Sequence, residues 1–174
     1  KVGYCGVDWK WQPRAQTLLF TGETDRSIDD KLRVSIPSEM RSGFASGPGP
    51  SIVYASPGPN TAIWLWPEAT FEAMANSFEQ SLLPDEDVMD FEQVLFSQSR
   101  RIEIDKVGRI RLPEALLSLA QITDHVVILG VRDHLELRDA NSWAPLREQK
   151  LAKLRDTMIR ARQQGIRGSR KSTE

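Results

Sequence analysis

The chain matches itself at an offset of 76 residues, and this duplication constrains its fold more than any other property of the sequence. The first copy reads Ile28-Asp29-Asp30-Lys31-Leu32-Arg33-Val34-Ser35-Ile36-Pro37. The second reads Ile104-Asp105-Lys106-Val107-Gly108-Arg109-Ile110-Arg111-Leu112-Pro113. Aspartate, arginine and proline superpose. Each proline precedes a short helical stretch (38–42 and 114–120), where a residue without an N–H costs nothing in the first turn. A buried-strand signal follows at 51–55 and 125–130, then a further strand at 61–66 and 134–138, then a helix led by Phe71 and by Trp143. So few short strands cannot cover an apolar face alone, whereas two copies packed together can.

With 174 residues, 40% of them apolar, the chain has room for one medium or two small packed domains and is too apolar to be disordered. No apolar run approaches the roughly 18 residues that span a bilayer, so no membrane insertion is expected. Nor does a basic stretch lead into an apolar run, so no secretion signal is expected. One cysteine, Cys5, forms no internal disulfide, and with two histidines it cannot supply a four-ligand zinc site. A reducing, cytosolic setting without a metal is expected. The net charge of -1 conceals polarity: residues 147–174 hold nine lysines and arginines against three acids, a net of +6, and the remainder carries -7.

Between the copies, Phe71, Met74, Ala75, Phe78 and Leu82 recur at helical spacing, and Val88, Phe91 and Leu95 do so again after Asp85-Glu86-Asp87. They predict two amphipathic helices broken near Pro84. Residues 43–60 contain eight glycines and prolines, which predicts a tolerant surface loop flanking the strand at 51–55. Residues 1–17 hold Trp9, Trp11 and Pro13 without clear periodicity and read either as a peripheral arm or as an added extension, between which the sequence does not decide.

The strongest chemical signal is the pair of Asp-x-x-x-Arg turns. In each, the aspartate (Asp29, Asp105) accepts backbone N–H groups, and the arginine (Arg33, Arg109) projects from the start of the next strand with a planar five-donor fork. That fork suits phosphate oxygens or the O6/N7 edge of guanine. The plain alternative is a hairpin whose Asp-Arg pair is only a local salt bridge; the recurrence of the spacing in both copies favours the functional reading.

These residues, together with Phe20-Thr21-Gly22-Glu23, Leu65-Trp66-Pro67 and Val126-Val127-Ile128-Leu129-Gly130-Val131, give a chain that resembles the MraZ family over residues 19–146. The resemblance implies a β-rich α+β fold, with two tandem AbrB-like swapped-hairpin units forming one pseudo-symmetric small β-barrel core with flanking helices. The first unit with its closing helix spans 18–83, a connecting helix 84–99, the second unit 100–146, and a basic helix and tail 147–174. The resemblance further implies a cytoplasmic, nucleoid-associated homo-oligomeric ring. Such a ring binds double-stranded DNA at short direct repeats and represses its own division and cell-wall operon. The family's DNA-contact role carries over to Arg33 with Lys31 beside it, and to Arg109, Lys106 and Arg111, with Asp29, Asp105 and Gly108 shaping the turns. Two departures stand out: Thr21 where the family commonly has arginine, and Leu32 where it commonly has glycine. A turn position that favours glycine usually needs φ > 0, which costs a branched side chain about 1–2 kcal/mol.

Other groups carry less. His125 and His134 lie in or beside strands without accompanying ligands and read as structural, as do Trp64, Trp66 and Trp143, read as core or subunit packing. The acids 85–87 with Asp90 complement a helix dipole. No nucleophile, base and orienting acid cluster, so neither an enzyme, a cofactor nor a small-molecule substrate is expected. The rival readings are a non-DNA oligomeric scaffold, in which the arginines pair with a neighbouring subunit, and an AbrB-like antitoxin.

Overall fold

A computed structural model describes residues 19–45, 49–78 and 85–170, with side chains to residue 162. Among the described residues are eight strands: β1 (Glu23–Ser27), β2 (Arg33–Ser35), β3 (Ile52–Gly58), β4 (Ala62–Pro67), β5 (Arg100–Glu103), β6 (Arg109–Arg111), β7 (His125–Val131) and β8 (His134–Asp139). Six helices accompany them: α1 (Ser38–Arg41), α2 (Glu68–Ser77), α3 (Glu86–Gln98), α4 (Glu114–Leu119), α5 (Ala140–Ala152) and α6 (Leu154–Arg170). The expectations on 1–17, including Cys5, Trp9 and Trp11, and on Leu82 and Pro84 lie outside the described residues.

The strands form a large antiparallel sheet in the order β1-β7-β8-β4-β3-β5 and a separate ribbon of β2 with β6. The two arms of each charged turn share one backbone bond at its base, Asp29 N–H to Arg33 O and Asp105 N–H to Arg109 O, but form no ladder with each other. Instead β1 lies along β7 and β2 along β6, while in the second copy β5 lies along β3. Equivalent positions meet where the copies cross: Val34 is opposite Ile110, and Ile36 N–H donates to Gly108 O while Leu112 N–H donates to Leu32 O.

The sheet is not the closed barrel expected from the sequence. Among the described residues its outer strands, β1 and β5, do not pair with each other. After each of them the chain bends into an aspartate turn and continues into the ribbon, so the ribbon and two short helices close the core in place of a continuous ladder. Val34, Ile36, Ile110 and Leu112, with Met40 and Leu116 of α1 and α4, form one cluster with Val53, Leu65, Ile128 and Leu135 of the sheet.

The region 43–60 departs from the loop expectation. Phe44 is fully buried in a 3-10 turn over Ser42–Phe44, and β3 runs through Pro57 to Gly58. Gly130 sits where the chain crosses itself: its N–H donates to Gly22 O, and a β-carbon there would meet the backbone of Phe20 and Thr21. Two of the longer helices, α3 and α5, are capped by side chains at their starts. Asp85 accepts from Asp87 N–H and Asp139 from Ser142 N–H, and Glu86 and Asp87 complement the α3 dipole as expected. No helix among the described residues is long and apolar enough to cross a membrane.

Candidate nucleic-acid interface

The two charged turns have the same internal geometry. Asp29 Oδ1 accepts the N–H groups of Lys31 and Arg33 at 2.9 and 3.0 Å, and Asp105 Oδ1 accepts those of Val107 and Arg109 at 3.0 and 2.8 Å. These bonds tie the turn to the first residue of the following strand. The second oxygen then takes the arginine itself: Arg33 Nε and Nη2 reach Asp29 Oδ2 at 2.8 and 2.7 Å, and Arg109 Nε reaches Asp105 Oδ2 at 3.0 Å.

The local ion pair of the plain alternative therefore exists, yet it consumes only the inner side of the fork. A carboxylate bound through Nε and Nη2 leaves the outer edge, with Nη1 and the second Nη2 proton, for another acceptor. Both arginine side chains remain part-exposed, at 31% for Arg33 and 37% for Arg109. The pairing also fixes charge. The Arg33 guanidinium holds the Asp29 pKa down at about 2, and Asp29, with Asp105 adding at longer range, raises that of Arg33. The Arg109 amide and then its side chain lower Asp105.

Alternation along the ribbon collects these groups. Val34 and Ile110 point into the core, so Arg33, Ser35, Arg109 and Arg111 share the outward face. Antiparallel register places Arg111 opposite Arg33 and Ser35 opposite Arg109. Lys31 and Lys106 stand exposed on the turns at either end. Leu32 adopts φ +59°, close to the φ +85° of Gly108, so the first turn keeps its shape despite the leucine.

The sequence reading did not single out Arg41. This α1 residue of the first copy reaches the second turn, where its guanidinium covers Gly108 and its Nε is enclosed without an acceptor. The signal lay in the glycine itself, since Gly108 aligns with Leu32 and the space differs at the two turns.

The groups read as structural lie elsewhere, on the opposite face of the sheet from the core. His134 stacks on Trp66 at 4.3 Å and bonds Asp133 at 2.8 Å, while Trp64 Nε1 donates to Glu136 at 3.0 Å. Burial disfavours the Glu136 carboxylate, but His134, Arg138 and Trp64 more than offset it and hold its pKa at about 2. Trp66 is buried with His134 and Arg138 in this network and Trp64 is half-buried, a packing role as expected, although neither joins the main apolar cluster.

The arrangement has counterparts among known proteins. Residues 95–164 match a family described as "MraZ protein, putative antitoxin-like". A protein of Mesoplasma florum named transcriptional regulator MraZ is 33% identical over 126 residues, covering 72% of this chain and 84% of the relative. Proteins of the same name from Mycoplasmoides gallisepticum and Roseiflexus castenholzii are 31% and 29% identical, each over 79% of this chain and over 94% and 99% of their own lengths. Similarity that runs across nearly the whole of such relatives, on a chain with an arginine-bearing turn in each copy, makes this protein a member of the MraZ family.

Proposed function

We propose that the outward face of the β2–β6 ribbon, with its two turns, binds double-stranded DNA, and that the protein is a sequence-specific transcriptional regulator. One observation carries this reading: two arginines, each oriented by an aspartate through Nε, present free outer edges from one continuous ribbon. That edge fits guanine O6/N7 bidentately, and Lys31, Lys106 and Arg111 add charge for phosphates. The interleaved pairing of β1 with β7 and β5 with β3 supports two AbrB-like swapped-hairpin units, 18–83 and 100–146, related by a pseudo-two-fold axis.

A ribbon three residues per strand is small, so each subunit makes few contacts. Linking several subunits in a ring over short direct repeats raises affinity through effective concentration, which suits repression of the protein's own division and cell-wall operon. Such a protein acts in the cytoplasm, on the nucleoid. The test is a gel-shift titration against the DNA upstream of that operon, with an unrelated duplex of equal length beside it. Selective, salt-dependent binding that is lost in Arg33→Ala supports the reading; equal binding to both duplexes by the parent protein sinks it.

The family description favours a second reading, an AbrB-like antitoxin. It differs in requiring a stoichiometric protein partner encoded beside the gene, which co-purification of the tagged protein with its neighbours reads directly.

A further inference from the structure

Two arginines that follow the turns have, when the copies are superposed, a charge their counterparts lack. Arg111 aligns with Ser35, and Arg41 aligns with Leu117. In sequence they belong to different copies; in space they complement each other. The antiparallel ribbon puts Arg111 opposite Arg33, at the first turn. Arg41 crosses to the second turn, where a β-carbon on Gly108 would come within 2.6 Å of Arg41 Cζ and 2.7 Å of its Cδ. The next residue is Arg109. Each end of the ribbon therefore holds one arginine tied to an aspartate and one that is not.

Arg41 packs over Gly108, with Glu39 of its own helix as a longer-range opposite charge. Its Nε is buried without an acceptor, and among the described residues it forms no ion pair. A guanidinium stays protonated under all ordinary conditions, and an enclosed donor without a partner is costly. Around the second turn the three cations Arg41, Lys106 and Arg109 stand against two carboxylates, Asp105 of the turn and Glu39 of α1, which leaves one positive charge in excess that an anion relieves. We propose that Arg41 is a further DNA-contact residue, binding a backbone phosphate at the Arg109 end of the ribbon as Arg111 does at the Arg33 end. The inference rests on the DNA-binding reading above. It adds that the first copy's helix supplies the second copy's turn with its phosphate ligand.

A merely structural Arg41 would fill the space over Gly108 and nothing more, so the test must read charge separately from packing. The full-length protein, Arg41→Met and Arg41→Lys are titrated with the operon-upstream duplex and an unrelated duplex at several salt concentrations, and each is checked by thermal melting. Methionine fills the space without charge; lysine keeps the charge. The expected result is that Arg41→Met weakens both duplexes alike and flattens the log K versus log[salt] slope by about 0.9 per engaged subunit, while Arg41→Lys retains the slope. If Arg41→Met does not fold, Arg41→Gln takes its place. An unchanged slope in the neutral variant, or an equal loss in Arg41→Lys, overturns the assignment. Absence of salt-dependent binding in the parent protein overturns the DNA reading itself, and the parent titration alone distinguishes that case.

Discussion

Arg33 and Arg111 face each other directly across the β2–β6 ladder. Like charges in directly opposed positions weaken a sheet, and among the described residues only Arg33 of the two has a carboxylate, Asp29, to offset it. A pairing that opposes folding at an exposed, cation-rich ribbon is expected where the charges serve a ligand. Replacing Arg111 by serine, the residue its counterpart Ser35 provides, should leave stability unchanged or slightly raised, by no more than about 0.5 kcal/mol. The same change should weaken binding to every duplex and flatten its salt dependence. Chemical denaturation and a salt titration read the two effects separately; a marked loss of stability would contradict the account of the pair.

The Asp29 carboxylate gives a pH signature. Its pKa falls from the usual 3.8 to about 2 on folding, chiefly through the Arg33 hydrogen bonds. A depressed folded-state value means the stabilisation is fully present above the unfolded pKa and is lost as pH falls toward the folded one. The stability difference between the parent protein and Asp29→Asn should therefore be constant above about pH 5, shrink as pH falls through about 2, and level off only below that. Asp105 titrates in the same direction in both proteins, so melting curves compared across that window isolate Asp29. A difference independent of pH would mean that the ion pair does not form.

Leu32 offers an inverted ranking. At φ +59° a leucine is strained by about 1–2 kcal/mol, yet its side chain packs against the core. Leu32→Gly loses the packing but relieves the strain, whereas Leu32→Ala loses the packing and keeps it. Glycine should therefore be the more stable of the two variants by about 1 kcal/mol, the reverse of the order at most positions. Urea denaturation of both variants decides it.

Much of this was legible in the residues. The offset of 76, the turn aspartates and the strand and helix order are all carried by short-range pattern, and short-range pattern is what periodicity reports. Strand partners are not. Arg33-Val34-Ser35 alternates identically whether it pairs with its own neighbour or with Arg109-Ile110-Arg111, and three residues give no register signal of their own. The loop expectation over 43–60 erred because Phe44, a single apolar residue among glycines, is buried by tertiary contacts that composition does not encode. Arg41 was hidden for a related reason: its placement over Gly108 depends on which turn α1 lies against, and that follows from the crossed pairing.

Gly130 tests the crossing itself. A β-carbon there would lie 2.6 Å from the carbonyl carbons of Phe20 and Thr21, backbone atoms that cannot rotate aside. Relief requires separating the segment before β1 from β7, including the Phe20–Arg132 bridge. Gly130→Ala should cost about 1–3 kcal/mol or more, although alanine is otherwise the mildest of substitutions. A fully stable Gly130→Ala protein would show that the two segments do not approach as described.

The interleaved sheet makes the sharpest demand on the two halves of the chain. A fragment of residues 19–83 keeps β3 with β4 but deprives β1 of β7, β2 of β6, β3 of β5 and β4 of β8. What remains is one two-stranded hairpin, marginal in water, and a core cluster that has lost Ile110, Leu112, Ile128 and Leu135. The isolated fragment should show no cooperative unfolding at micromolar concentration. Co-expressed with residues 85–174, it should recover a single transition, because the missing partner strands return in trans and each ladder re-forms across the two pieces. Calorimetry of the fragment alone and of the reconstituted pair measures this. Cooperative unfolding of the lone fragment at low concentration would mean that its strands find partners within their own copy, which the observed ladders do not allow.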